Sequence, residues 1–583
     1  MKIYMRKVKW MIAILFTTII IFANNVNAAD LRTGIYNFPT NYQGYLRELQ
    51  SKYPNWNFIA LYTGISWDEV IRNENVFGVN LVPISYSDRW KNTNPNEYNV
   101  PVDGNWVDSS RQAVEYALDP RNFLNEVRVF QFEQLSYDKN TNSKYAIEKI
   151  LYGTEFYDTL VNYLDVNGNR IYTGNTYSDL ILNAAKNSGV SAFHLASRIK
   201  QEVGPFLSHS SISGNVDGYR GLYNFYNIGA TSSETQMEAI RKGLQYALDG
   251  KGASEQTKQR YLIPWDNKEK AITGGAIFIG ASYINKGQNT VYLQKFHVSD
   301  NTGGDLFYHQ YMTNILAAYS EAKSIYKGYY NSNLLDASKN FIIPVYNNMP
   351  EINTESPTIS PQEYVQDNTR VLANVNTTLN IRSGPGTSYE SITRVGSKTI
   401  MTRISKSVGS GELWDRVLLG NGIIGYAFRT YLEDVPKDLS QNELSFDSSL
   451  RISNYEISGI DEKTTVANIK NKINTKYIIE IENKNGVILS DNEFVGTGCI
   501  LKIKSNTGEL LGIYKFILYG DTDGDGRITS FDVLVLQRHI LRMEILQDVF
   551  YKAGNISKNG DKPTSFDALL MQMHILKIRY IDQ

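Results

Sequence analysis

Two stretches of the 583-residue chain place acidic side chains where chemistry can follow. The first is Ser191-Ala192-Phe193-His194-Leu195-Ala196-Ser197-Arg198-Ile199-Lys200-Gln201-Glu202-Val203, a helical pattern opened by Ser191 as N-cap and stopped at Gly204-Pro205. Leu195, Ile199 and Glu202 fall at i, i+4 and i+7, so Glu202 extends an apolar stripe. It also lies in the last turn, where the helix dipole disfavours a negative charge. Burial and dipole both raise a carboxyl pKa, as a general acid near neutrality requires. The plainer alternative is an exposed glutamate paired with Arg198 one turn back. Downstream, Gly218 to Ala230 crowds aromatics and amides between glycines, a suitable lining for a sugar cleft and equally for a tight turn with core aromatics.

The second stretch is Asp521-x-Asp523-x-Asp525-Gly526-x-Ile528-x-x-x-Asp532. Oxygen ligands at loop positions 1, 3, 5 and 12, with glycine at 6 for the turn, are calcium geometry, and the carbonyl of Arg527 fills position 7. A parallel loop, Asn555-x-Ser557-x-Asn559-Gly560, replaces three carboxylates with neutral groups. One extra residue there precedes Asp567, so it should hold calcium weakly or not at all.

These residues need a scaffold, and the chain changes character along its length. Helical patterns run 178–187, 191–203, 235–249, 271–286 and 307–327. Residues 349–367, with Pro350, Pro357 and Pro361, read as a linker. Residues 371–432 switch to short alternating segments cut by glycines, the pattern of a small barrel, and 444–519 again read as strands. Thr529–Leu541 and Thr564–Leu576 match at nine of 13 positions, offset by 35, which marks an internal repeat. At the start, Lys2, Arg6, Lys7 and Lys9 precede an apolar run from Trp10 to Ala23 and small residues near Ala28, the pattern of a secretory signal peptide. The expected division is a signal peptide at 1–28, a region of undefined role at 30–168, a catalytic domain at 169–330, the linker at 349–367, the barrel at 368–436, a β-rich module at 441–518 and the repeat domain at 519–583.

Composition narrows the function. With 59 basic and 60 acidic side chains the net charge is −1, which argues against general nucleic-acid binding. Cys499 stands alone, which removes disulfides, cysteine nucleophiles and cysteine zinc sites; export without disulfides fits a bacterium. No second apolar run approaches spanning length, so a secreted mature chain without a membrane span is expected. No Gly-x-Ser-x-Gly and no His-Glu-x-x-His occurs. His194, His209, His297 and His309 lack ligand spacing and read as structural, although His309 could line a cleft, and no cofactor is assigned to catalysis. Forty tyrosines suit sugar surfaces and half-buried cores alike.

The segment Ala196–Gly204, followed by Tyr223-Asn224-Phe225-Tyr226-Asn227-Ile228-Gly229-Ala230, resembles the endo-β-N-acetylglucosaminidases of glycoside hydrolase family 73, bacterial autolysins with a lysozyme-like, mainly α fold. The resemblance covers roughly residues 169–330. It implies cleavage of the β-1,4 bond after N-acetylglucosamine in peptidoglycan glycan strands, with Glu202 as general acid and Tyr219, Tyr223, Asn224, Phe225 and Asn227 along the substrate. The second group stays open: Asp217 by position, Glu234 next, or the substrate's own acetamide oriented by a tyrosine, for which Tyr283 is the match. Leu379-Asn380-Ile381-Arg382-Ser383-Gly384-Pro385-Gly386, with Trp414-Asp415-Arg416-Val417 and Gly425-Tyr426-Ala427-Phe428, resembles the bacterial SH3 domain, which implies a cell-wall peptide or cross-bridge as partner, or a mere spacer. The paired loops, with Asp532 at position 12 instead of glutamate, resemble a type I dockerin. That implies structural calcium on Asp521, Asp523, Asp525, Arg527 and Asp532. It also implies a cohesin-type partner at Ser530-Phe531 and Ser565-Phe566, unless the repeat and the strand-rich segment dock on each other as one structural unit.

The expected fold is therefore multidomain α+β: a lysozyme-like helical domain, an all-β SH3-like barrel, a β-sandwich-like segment and a paired EF-hand-like helical tail. Rival functions are a non-catalytic wall-glycan binder and an endoglycosidase acting on glycoprotein N-acetylglucosamine.

Overall fold

The computed structural model describes residues 30–583 except 232, 234, 358–362, 409–410, 436–438, 441–442, 454, 509, 542, 544–545, 547 and 559–562. The expected signal peptide and Glu234 lie outside the described residues. Among them, no helix is long and apolar enough to cross a membrane. The chain divides into two compact units: residues up to Phe38 with Tyr53–Thr358, and Pro39–Lys52 with Ile359–Gln583.

In the first unit, Trp56–Ser66 is the central strand of three. It runs antiparallel to Asp30–Thr33 and parallel to Lys339–Asn347, with Phe58 opposite Phe341. Trp56, Phe58, Phe130 and Phe341 are buried; Phe58 stacks on Phe341, and Phe130 meets Trp56 and Phe341 edge to face, which seals this sheet against the segment around Phe130. The helices match the apolar periodicity, with shifted ends. Tyr177–Ser188 is opened by a Thr176/Asp179 capping box, closed by Gly189 in the left-handed conformation, and packs on Lys268–Ser282. Gln236–Asp249 has the same kind of box from Thr235 and Glu238. The helix expected over 307–327 begins only at Ala317; Leu316 makes no side-chain cap, and Asn314 Oδ1 instead accepts its amide at 3.0 Å.

In the second unit a seven-stranded antiparallel sheet has the order Ser391–Gly396, Thr378–Arg382, Ile424–Phe428, Trp414–Leu419, Ile400–Val408, Glu363–Ala373, Leu432–Val435. A five-stranded sheet follows: Arg451–Ser453, Glu456–Ser458, Leu510–Phe516, Ile500–Lys504, Ile478–Glu482. Its pairing of Glu456–Ser458 with Leu510–Phe516 is parallel, and helix Val466–Asn471 helps close the core with Val466 and Ile469. A separate two-stranded sheet, Leu444–Phe446 with Ile473–Thr475, shares this core through Leu444 and Ile473. Helices Ser530–Ile540 and Ser565–Ile575 of the repeat pack through Val533, Leu536, Leu570 and Met571.

Helix Thr40–Lys52 also belongs to this second unit, although it is close to the start of the chain. Gly44 lacks the Cβ that would overlap the Asn421 carbonyl. Beside it the Tyr45 hydroxyl donates to the Ile424 carbonyl at 3.1 Å and accepts from the Ile424 amide at 2.8 Å.

Candidate functional site

Glu202 sits in the last turn of helix Ala192–Val203, which Gly204 ends at φ 71°. Ser191 does not cap this helix through its side chain; Asn142 Oδ1 accepts from the Ala192 amide at 2.5 Å instead. Leu195, Ala196 and Ile199 are buried, so the apolar stripe holds the helix down. The Glu202 side chain is 24% exposed, and Arg198 Nη2 lies 3.1 Å from its Oε1. Asn227 Nδ2 donates to the Glu202 carbonyl at 2.8 Å and to Oε2 at 3.3 Å. Both features weighed in the sequence are present: the carboxyl extends the apolar stripe and it pairs with Arg198. Such a carboxyl is half sheltered, oriented by an amide and still reachable from solvent.

The loop that brings Asn227 to Glu202 owes its shape to residues expected along the substrate. Asn224 is buried; its Nδ2 donates to the carbonyls of Ile228 (2.9 Å) and Gly243 (3.0 Å) while its Oδ1 accepts from the Ile228 amide. Tyr223 is buried, its hydroxyl both accepting from and donating to the Leu164 backbone, and burial pushes that phenol up to about 12. Phe225 is fully buried. These three build the loop and have no surface to offer a sugar. Tyr219 is half-buried and donates to Gln245 Oε1 at 3.0 Å, and Asn227 takes φ 50°, which asparagine tolerates.

Asp217 is exposed in the turn before this loop. Tyr283 closes helix Lys268–Ser282; its ring stacks on His309 at 4.5 Å and meets Tyr311 edge-on at 6.4 Å. Two residues that sequence reasoning passed over complete the cluster. Glu321, half-buried on helix Ala317–Asn331, is pushed up by burial, against the pull of Tyr311 and of the Arg198 charge. Tyr311 in turn responds to Glu321, Arg198 and Tyr283. Arg198 thus pairs with Glu202 and acts electrostatically on Glu321 and Tyr311, the latter in ring contact with Tyr283. An acid on the inward side of an amphipathic helix was the available signal for Glu321; Tyr311 gives none, because it lies in an irregular segment. Burial and the nearby Arg198 charge hold His194 neutral, down to about 4. The Tyr226 hydroxyl, buried where Gly275 leaves room for its ring, has no hydrogen-bond partner.

The calcium-type loop lies in the second unit. One carboxylate oxygen from each of Asp521, Asp523 and Asp525 falls within 4.8 Å of the others. Asp521 is fully buried; its oxygens accept from the amides of Thr497, Gly524, Asp525 and Gly526, and burial together with the Asp532 charge raises its carboxyl. Gly524 and Gly526 take φ near 80°, which lets the backbone wrap inward. Asp532 uses one oxygen on the amides of Thr522 and Asp523, the other on Thr529 at the start of the next helix. The Arg527 side chain stacks over Phe494 at 5.2 Å and its amide donates to Asp525. Converging hard oxygens from buried Asp521, half-buried Asp523 and exposed Asp525 would suit a calcium ion. The strand-rich segment packs on this loop: the Thr497 amide donates to the Asp521 carboxylate, Glu462 accepts from the Ile528 amide, and the Lys463 amide donates to the Gly526 carbonyl. In the second loop Asp567 repeats the Asp532 pattern, accepting from the Ser557 amide and from Thr564.

Parts of the chain are similar to known proteins. Residues 377–433 match the family described as bacterial SH3 domain. Over 250 residues, 42% of this chain, the sequence is 28% identical to the bifunctional autolysin of Staphylococcus aureus strain MSSA476; over 277 residues it is 26% identical to that of strain MRSA252. The chain spans 17% and 19% of the length of these relatives. Among solved structures, a major bifunctional autolysin matches 50% of this chain and 98% of its own at 25% identity and a TM-score of 0.34. Glucosaminidase B of S. aureus matches 50% and 94% at 25% identity and a TM-score of 0.33.

Proposed function

We propose that the chain is a secreted, wall-associated peptidoglycan hydrolase that cleaves the β-1,4 bond after N-acetylglucosamine, with Glu202 as general acid. One observation carries this reading: a single half-sheltered carboxyl at a helix end, oriented by Asn227 and paired with Arg198, in a chain of which 42% is similar to a bifunctional autolysin. In the proposed reaction Glu202 gives its proton to the leaving glycosidic oxygen as the C–O bond breaks, and Asn227 keeps the carboxyl aimed. Either the substrate's acetamide or an activated water supports the anomeric carbon. Tyr283, which shares the Arg198 cluster through Tyr311, supports the first route as orienting group; Asp217, exposed in its turn, is the candidate base of the second.

The test is mass spectrometry of muropeptides released by the full chain and by Glu202→Gln. New reducing N-acetylglucosamine ends are expected from the first, and a rate lower by about 10²–10⁴ from the second. Reducing N-acetylmuramic acid, or an undiminished variant, would refute the assignment.

In the same proposal the SH3 domain holds wall peptide and the loop of Asp521, Asp523, Asp525, the Arg527 carbonyl and Asp532 holds structural calcium. The ion would neutralise these carboxylates and fix the loop against the strand-rich segment. A cohesin-type partner is supported by the duplicated exposed residues Phe531, Leu534 and Leu541 with Phe566, Leu569 and Leu576.

A further inference from the structure

The second unit contains a cavity of about 570 Å³, within the size range of small-ligand sites. Its wall comes from helix Thr40–Lys52, from the SH3 sheet around Thr393–Ile400 and Leu419–Asn421, from the strand-rich segment around Tyr455 and Ile513–Lys515, and from the tail between Leu546 and Lys558. None of these elements takes part in the cluster around Glu202.

Backbone strain concentrates here. Among the described residues, four of the fifteen non-glycine residues with positive φ line this cavity: Lys398 (60°), Tyr455 (63°), Asp548 (54°) and Lys558 (53°). A left-handed lysine or tyrosine costs about 1–3 kcal/mol and persists only where surrounding contacts impose it, as at ligand clamps.

Charge is also arranged for a purpose. Six cationic side chains, Arg47, Arg394, Lys398, Lys515, Lys552 and Lys558, face three carboxylates, a surplus of three positive charges. The carboxylates are already engaged. Asp548 takes Lys515 Nζ at 2.5 Å and the Thr399 hydroxyl at 3.3 Å. Glu456 holds Lys552 Nζ with both oxygens at 2.7 Å, and half-buried Glu48 is held by Thr393. The outer cations rest mainly on neutral groups: Arg394 Nε donates to Asn380 Oδ1 at 3.1 Å, Lys398 Nζ to Asn374 Oδ1 at 3.1 Å, and Lys558 Nζ lies 4.4 Å above the Tyr519 ring. Glu433, 3.8 Å from Lys398, is the weaker exception. Tyr455, Tyr514, Tyr519 and Tyr551 supply stiff apolar faces with polar edges, suited to a sugar ring.

We infer that this cavity is a second ligand site that takes an anionic saccharide, its ring on the tyrosines and its carboxylate or phosphate on Arg394, Lys398 and Lys558. The site is separate from the hydrolytic reading and stands without it. The two sources of such a ligand in a wall are the lactyl carboxylate of muramic acid and a sugar phosphate.

The test titrates the full chain, with and without Arg394→Glu/Lys558→Glu, with N-acetylmuramic acid, N-acetylglucosamine 1-phosphate and neutral N-acetylglucosamine, followed calorimetrically. Both substituted residues are exposed, so an unchanged melting temperature checks that the fold survives. At least one anionic sugar should bind tenfold or more tightly than the neutral sugar, more weakly at high salt, and tenfold or more weakly to the double variant. Preference for the first probe identifies the glycan strand as source, preference for the second a phosphate-bearing polymer. Equal binding of neutral and anionic sugars, no binding by either anion, or full affinity in the double variant would overturn the inference. Loss of glycan cleavage in Glu202→Gln, or its absence, leaves these outcomes untouched, so the two readings fail separately.

Discussion

The two units bury carboxylates in opposite ways. In the first, Glu74 is inside with Lys295: Asn80 and Gln310 donate to the carboxylate, and Lys295 Nζ donates to the same two amides at 2.6 and 3.2 Å. Burial pushes Glu74 up, and the Lys295 charge pulls it back. Burial likewise pushes Glu133 up and the Lys339 charge pulls it back, but here Tyr329 donates to the carboxylate at 2.5 Å and Lys339 Nζ donates to the carbonyls of Leu334 and Ala337. In the tail of the second unit Asp521, Asp532 and Asp567 are also fully buried, yet their hydrogen bonds come from backbone amides and threonine hydroxyls, and Asp521 and Asp532 repel one another. The first unit folds with its countercharges built in, as the seven-stranded sheet does at buried Asp415 with Arg429; the tail loop would receive its own from the proposed calcium. Burying an unneutralised carboxylate is expensive enough that this difference should dominate how each responds to perturbation.

The largest effect should come from breaking an internal pair. Lys295→Met leaves Glu74 without its countercharge and should cost about 3–5 kcal/mol in chemical denaturation of the first unit. Glu74→Gln added to it should restore most of that loss, because the amide keeps its Asn80 and Gln310 neighbours. A single variant within 1 kcal/mol of wild type would remove the contrast between the units.

Calcium removal should give the next largest effect, confined to the second unit. At a calcium concentration a hundredfold above Kd, chelation should lower that unit's stability by about 2.7 kcal/mol and leave the first transition in place. Calorimetric titration should find one tight site, abolished by Asp523→Ala. Two equal sites would refute the distinction between the charged loop and the loop at Asn555 and Ser557.

How far such behaviour can be read without coordinates differs from residue to residue. The position of Glu202 at a helix end was legible because helix period, Gly204 and the loop after it are local signals, and the convergence of Asp521, Asp523 and Asp525 because spacing alone aligns their oxygens. Thr40–Lys52 was not legible as part of the C-terminal unit: its anchor, Tyr45 to Ile424, spans 379 residues, and nothing in either segment names the other. Tyr223, Asn224 and Phe225 were legible as a motif, but the same pattern serves a sugar surface and a buried loop scaffold, and only packing decides between them. Glu321 and the Glu74–Lys295 pair were hidden for the same reason, since a charged residue on an amphipathic helix reads as solvated until a second helix covers it.

The smallest effect concerns a charge that the first unit excludes. His194, covered by packing and facing Arg198, is depressed to about 4 from an ordinary 6.5. A folded-state pKa below the unfolded value stabilises the fold above pH 6.5, and that contribution is lost as pH falls from 6.5 through 4. Because the ring keeps some contact with solvent, the loss should be on the order of 1 kcal/mol, less than the shift alone implies. Glu74 and Glu133, both pushed up by burial, titrate in the same range, so the slope of wild type alone does not isolate the histidine. The difference between wild type and His194→Gln does, since the carboxylates are common to both. That difference should favour wild type more at pH 7.5 than at pH 4.5. A difference independent of pH would mean that His194 takes up its proton inside the fold, and that the first unit tolerates an unpaired cation beside Arg198 after all.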